Sequence, residues 1–255
     1  MAPERRAERA ASFGPAASLY DRVRPTYPAA AVEWALAPLG TGRRRVADIG
    51  AGTGIMTRVI AGLGHDVVAV EPDELMLEQL AAKTPGVETI VDSAESMPLP
   101  PDSLDGAIAA QAYHWFNKAA AHAELARVIR PGGVFAAIWN NRDEATAWVH
   151  EYSRIVEGDR GPDDLGADSG RMTPSFSDVF GKVEGTIFHH SVTHTEDSLV
   201  ELLRSRSYFL TATPERQAAL EAQVRALART HPDLAGRSEF ELPYDTLAYR
   251  ATRLG

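Results

Sequence analysis

The sequence has no cysteine, so disulfides, thiolate metal sites and cysteine nucleophiles are excluded and the compartment is left open. It lacks any apolar run of the roughly 18 residues that a membrane helix needs. The first residues, MAPERRAERAASFG, lack the apolar core of a secretory signal. A soluble, cytoplasmic protein is the expectation. Positive charge is also short: the formal net charge is −9, which argues against a sequence-independent grip on nucleic acid or an anionic membrane. The one basic run, Arg43-Arg44-Arg45, stands before a strand and reads as a solvated edge. No internal repeat of the solenoid kind is present.

What is there is an ordinary globular composition, 44% hydrophobic and 24% charged over 255 residues, enough for one sizeable α/β domain. Residues up to about Ala10 are charged and alanine-rich and read as frayed. Phe13 to Pro28 is irregular, with three prolines and three aromatics. AAAVEWALAPLG reads as a helix with Val32, Leu36 and Leu39 on its apolar face and Gly40 at its end. Strand and helix signals then alternate. RVADIG, DVVAVE, VETIVD, LDGAIAAQ and VFAAIWN are five strands, and IMTRVIAGLG, ELMLEQLAAK and NKAAAHAELARVIRPGG are helices, the last stopped by Pro131-Gly132-Gly133. Short apolar strands separated by helices predict a mainly parallel sheet covered on both faces, with right-handed connections. Beyond residue 140, EATAWVHEYSRIVEG, EDSLVELLRSRSYF and PERQAALEAQVRALARTH read as helices. KVEGTIFHHSVTH and SEFELPYDTLAYRAT are strands that suit an antiparallel addition at one edge.

Within that order one stretch carries chemistry, VADIGAGTGIMT from Val46 to Thr57. Glycines that follow the first strand and open the first helix let a ligand approach the backbone at the carboxyl end of the sheet. The spacing is G-x-G-x-G, not the G-x-G-x-x-G of dinucleotide sites, and no Gly-Lys-Ser/Thr of a P-loop follows. Asp48, two residues before Gly50, repels a pyrophosphate and suits an ammonium. Glu71 ends the second strand, where an acid accepts hydrogen bonds from ribose hydroxyls. A ribose and an amine without a pyrophosphate describe S-adenosylmethionine.

VADIGAGTG, VVAVEPDELML, DSAESMPLPPDSLDGAIAAQAYHWF and ELARVIRPGGVFAAIW, in that order, resemble the successive motifs of class I S-adenosylmethionine-dependent methyltransferases. The nearest branch by these motifs is the ubiquinone/menaquinone-type or trans-aconitate-type. The resemblance implies a Rossmann-like, mainly parallel seven-stranded sheet with helices on both faces, an N-terminal cover and a helical insertion near the C-terminus. It implies one methyltransferase domain over 1–255, with the cover and a helix at 13–40, the cofactor core at 43–140 and acceptor-side helices and last strands at 141–255. The cofactor would be S-adenosylmethionine, leaving as S-adenosylhomocysteine. Its methionine part would lie over Gly50, Ala51 and Gly52, with its amino end toward Asp48, its ribose on Glu71 and its adenine on Pro72. The family's acid at the adenine amine is replaced here by Ser93 before Ala94-Glu95, so Asp92, Ser93 and the Ala94 backbone share that expectation. Gln111 would lie near the sulfonium. In YDRVRPTYP, Tyr20 and Arg24 would reach the methionine carboxylate and Tyr27 the acceptor.

The corner after the fourth strand, QAYHWFN, adds His114, which is either a base or acceptor-orienting group or a loop-shaping residue. Trp115 and Trp139 belong to an apolar or planar acceptor pocket or to the core. Arg142, Arg204 and Arg206 read as solvated arginines before they read as ligands of an acidic acceptor. HHSVTH has His190 and His194 four apart on a strand with no acid beside them, so no metal is expected. DRGPDDLGADSG reads as a lid or a solvated loop, not a calcium loop. A small-molecule acceptor is the expected partner. Weighed against methyl transfer were a cofactor-assisted cyclisation or rearrangement, a nicotinamide oxidoreductase and a non-catalytic binding protein.

Overall fold

The computed structural model describes residues 17–157 and 173–255. The extreme N-terminus and the DRGPDDLGADSG segment lie outside the described residues. Seven strands form one mixed sheet: β1 Arg45–Ile49, β2 Asp66–Val70, β3 Glu88–Ile90, β4 Leu104–Ala110, β5 Ile129–Arg142, β6 Glu184–His194 and β7 Phe240–Thr252, in the order β3-β2-β1-β4-β5-β7-β6. The pairs β2/β3, β1/β2, β1/β4 and β4/β5 are parallel. The chain therefore leaves β1 toward one edge and returns to β4 on its other side. That reversal opens a crevice at the carboxyl ends of β1 and β4. The two late strands lie together beyond β5, as the sequence order led us to expect.

The helices are α1 Ala17–Val23, α2 Ala29–Leu36, α3 Ile55–Gly62, α4 Glu74–Lys83, α5 Lys118–Val128, α6 Ala147–Glu157, α7 Glu196–Arg204, α8 Ser207–Leu210 and α9 Pro214–Thr230. Helix α4 begins where Asp73 accepts hydrogen bonds from Leu75 N and Met76 N, and α7 begins in a Thr195–Ser198 capping box.

The chain divides into two compact units. The larger, 26–140 with 173–188 and 246–255 among the described residues, has its core on the two faces of β1, β4 and β5. Val32, Leu36 and Leu39 are buried there, so the apolar face expected of α2 is the one it uses. The smaller unit, 17–25 with 141–157 and 189–245 among the described residues, has a core of its own. Val149, Leu199, Leu203, Val224 and Leu227 meet in it.

Several boundaries differ from the sequence reading. Helix α5 ends at Val128, before Pro131-Gly132-Gly133, because Ile129 turns extended and pairs with Leu104. The glycines belong to β5: a Cβ on Gly133 would meet Ile129 Cγ2 at 2.4 Å and Asp105 O at 2.6 Å. The irregular N-terminal stretch contains α1, which stops before Pro25. EDSLVELLRSRSYF is two helices, broken at Ser205, whose Oγ donates to Leu202 O.

Candidate active site

The three glycines after β1 answer different demands. All have positive φ, at 69° for Gly50, 55° for Gly52 and 85° for Gly54. A Cβ on Gly50 would stand 2.6 Å from Ala112 Cβ, and one on Gly54 2.7 Å from Leu80 Cγ. At Gly52 the nearest atom would be Met76 Sδ at 3.6 Å, an ordinary contact. Gly50 and Gly54 are thus fixed by packing as well as by φ, and Gly52 by φ alone, since its Cβ would meet Met76 without a clash.

Where the loop's N–H groups go decides what it can bind. Gly50 N and Ala51 N donate to Val70 O, Gly52 N to Glu71 Oε2 and Gly54 N to Ala51 O. A phosphate cradle needs such donors turned toward the ligand. Here they are spent inside the protein, one of them on the Glu71 carboxylate.

Asp48, on β1, is fully buried. Its Oδ2 accepts from Thr57 Oγ1 at 2.6 Å, while Oδ1 has no partner among the described residues. Burial pushes its carboxyl up to about 7, and the nearby Glu71 carboxylate adds to the rise against the Thr57 hydrogen bond. Glu71 follows β2 directly and is buried, with Oε2 held by Gly52 N at 2.9 Å and Oε1 by Asp73 N at 3.0 Å. Burial raises its pKa as well, against the pull of those two N–H groups. Each oxygen keeps a lone pair for a further donor. Pro72 is exposed beside it. A buried carboxylate oxygen unpartnered among the described residues, a second fixed acid just past the next strand and a glycine whose Cβ position is free of clashes fit the amino, ribose and methionine groups of S-adenosylmethionine.

Comparison with known proteins bears on this geometry. Residues 47–137 match the family described as "Methyltransferase domain". An uncharacterized methyltransferase of Mycobacterium bovis is 39% identical over 241 residues, spanning 94% of this chain and 95% of that protein. The chain is a class I S-adenosylmethionine-dependent methyltransferase. An uncharacterized methyltransferase-like protein of Schizosaccharomyces pombe is 29% identical to this methyltransferase over 92% of each chain. Among solved structures, a protein of Anaeromyxobacter dehalogenans assigned as a type II methyltransferase superimposes with a TM-score of 0.64. It is 29% identical and covers 90% of this chain and 97% of its own. These names do not favour the cyclisation alternative.

The methyltransferase's other expected site residues fall into distinct places. Asp92 and Ser93 are half-buried, with Asp92 Oδ1 accepting from Ser93 N at 2.8 Å, and Ala94 is buried. Gln111, just past β4, has φ 52°; its N donates to Ile138 O and its Nε2 to Asn140 O, both at 2.8 Å. The hydrogen bonds hold a non-glycine residue in a conformation that costs about 1–3 kcal/mol at the mouth of the crevice. His114 lies on the short 3-10 turn Tyr113–Trp115, and Trp139 Nε1 donates to its Nδ1 at 3.4 Å. Trp139 itself is buried among Tyr113 and Tyr249, and Trp115 is half-buried. Tyr27 is buried in the core that also takes Val32 and Leu36.

Tyr20 and Arg24 belong to the smaller unit. Arg24 lies 4.6 Å over the Tyr20 ring and donates from Nε and Nη2 to Ser205 Oγ and O, both at 3.0 Å. Arg142 is not the solvated residue expected: it is buried, with Nε on Ser153 Oγ at 2.8 Å and its guanidinium over the Tyr152 ring. Arg204 is paired with Glu221 through two 2.7 Å bonds. His194 is buried, and its Nδ1 meets Ser198 Oγ at 2.9 Å. No cluster able to hold a metal and no helix long and apolar enough to cross a membrane occurs among the described residues. Sequence reasoning missed Thr57, which holds Asp48 from the next helix, and Asn140, which accepts from Gln111 through its carbonyl. Neither residue type announces such a role without the fold.

Proposed function

We propose that this methyltransferase methylates a small, planar or apolar metabolite. The observation that carries the cofactor pose is the pair of buried acids at adjoining strand ends, Asp48 with one unpartnered oxygen and Glu71 with both oxygens fixed. Asp48 attracts the ammonium, Glu71 accepts the ribose hydroxyls, Pro72 lies against the adenine, and Asp92, Ser93 and Ala94 meet its amine. Gly50, Ala51 and Gly52 allow the methionine part to approach, and Gln111 borders the sulfonium. When bound, the cofactor supplies an electrophilic methyl: the acceptor's lone pair bonds to it as the carbon–sulfur bond breaks, and that electron pair stays on sulfur.

Such a displacement needs alignment and exclusion of water more than covalent help. His114 supports the orienting role better than the base. A neutral ring that accepts at Nδ1 carries its proton on Nε2, where it donates. Trp115 and Tyr27 are the acceptor-side aromatics, and Trp139 acts through His114. The small acceptor accords with the net charge of −9, which disfavours polyanions. The resemblance of its motifs supports the ubiquinone/menaquinone-type or trans-aconitate-type branch, and the cytoplasm is its expected compartment.

The test is to incubate the protein with trideuteromethyl-labelled S-adenosylmethionine and a metabolite extract. A labelled product that forms with S-adenosylhomocysteine, and is absent with Glu71→Ala, is the expected result. Release of S-adenosylhomocysteine without any labelled small molecule would contradict it.

A further inference from the structure

The smaller unit gathers arginine and tyrosine side chains around two donors with nothing to donate to. Among the described residues, Arg206 Nε is buried without a hydrogen-bond partner, and so is the hydroxyl of Tyr244, a residue only 2% exposed. Arg24 stands near them, and no carboxylate pairs with Arg24 or Arg206 among the described residues. Loss of water pushes the Arg24 guanidinium down to about 10, and the positive charge of Arg206 is the next cause. The groups that pull it back are the hydroxyls of Tyr20, Tyr208 and Tyr244. Burial raises the Tyr244 hydroxyl, and the charges of Arg206, Arg142 and Arg24 draw it down.

Like charges on two half-buried guanidiniums and unmade hydrogen bonds at buried atoms are costly unless something completes them. A negative group with acceptors on two atoms answers both, because both orphan atoms carry hydrogens to give. A carboxylate meets both requirements, and its plane matches the guanidinium fork. The surroundings choose the rest of the molecule. Tyr244 belongs to the apolar cluster that also holds Phe209 and Leu203, and the Tyr20 ring lies flat against Arg24.

We propose that Arg206 and Tyr244, with Arg24 beside them, form an anion site that takes the carboxylate of a small aromatic acid. A carboxylate also ends the methionine part of the cofactor, so the experiment must separate the two sources.

The full-length protein is titrated with benzoate, and with uncharged benzamide, by thermal shift and by saturation-transfer NMR. Benzoate is expected to bind saturably at millimolar concentration and raise the Tm, and benzamide to do neither. Arg206→Gln and Tyr244→Phe abolish the benzoate effect and leave the calorimetric Kd for S-adenosylmethionine unchanged. Without ligand, Tyr244→Phe melts at or above the wild type, because it deletes a buried hydroxyl that has no partner. Equal responses to benzoate and benzamide, or none, overturn the proposal. So do variants that weaken S-adenosylmethionine and spare benzoate, since the site then serves the cofactor. If benzoate binds as stated but S-adenosylmethionine does not bind the wild type, the anion site stands and the methyl-transfer reading falls.

Discussion

Thr57 donates its hydroxyl to one oxygen of Asp48 at 2.6 Å and leaves the other oxygen of that fully buried carboxylate without a partner. The ligand-free protein therefore carries an acid that is costly to ionise, at the point where the cofactor's ammonium is proposed to sit.

This has a pH signature. The Asp48 carboxyl is raised from 3.8 to about 7 in the folded chain, mainly by burial. Between those values the native state holds a proton that the unfolded state has lost. Asp48 thus makes the ligand-free protein less stable as pH rises through that window, and its cost is fully present above it. Asp48→Asn is expected to raise the Tm at pH 8, with the gain fading toward pH 4, and to weaken S-adenosylmethionine. Thermal melts of both proteins across pH check this; a difference independent of pH would contradict it.

Gly50 and Gly52 should separate under substitution. Gly50→Ala adds backbone strain of about 1–2 kcal/mol and a collision with Ala112 that the loop must move to relieve. Gly52→Ala adds the strain without the collision, its Cβ meeting only Met76 Sδ at 3.6 Å. In urea unfolding, Gly50→Ala is expected to lose clearly more stability than Gly52→Ala. Gly52→Ala loses cofactor affinity out of proportion to its stability, because its new methyl fills the approach. Equal losses of stability would count against this account of the loop.

Trp139 and His114 make a third prediction. If the indole N–H holds Nδ1 as acceptor, nitrogen-15 chemical shifts will report neutral His114 with its proton on Nε2. Trp139→Phe then removes that preference and lowers methyl transfer while leaving the Kd for S-adenosylmethionine unchanged. An Nδ1-protonated ring in the wild type would return His114 to the role of base.

Much of this was legible in the sequence, for reasons that can be located. The alternation of short apolar runs with capped helices gave the parallel strands β1 to β5, since strands covered on both faces need little polar alternation. Asp48 and Glu71 were readable because each sits at a strand's end in a fixed relation to the glycines. Trp139 was not, because β5 is buried continuously from Gly133 to Asn140 and an aromatic there looks the same whether it lines a pocket or fills a core. Arg142 read as solvated because its cover, Tyr152 and Ser153, comes from a helix whose facing side only the fold reveals. The convergence of Arg24, Arg206 and Tyr244 joins positions remote in sequence, and no local pattern marks it.

The most direct test of the cofactor site is calorimetry of the wild type and Glu71→Ala with S-adenosylmethionine, S-adenosylhomocysteine and NADH. Glu71 holds Gly52 N and offers its remaining lone pairs to the ribose. The account predicts binding of both adenosyl compounds by the wild type, at least tenfold weaker binding by the variant (about 1.4 kcal/mol or more) and none of NADH. Undiminished binding by Glu71→Ala, or binding of NADH in place of the adenosyl compounds, would contradict it.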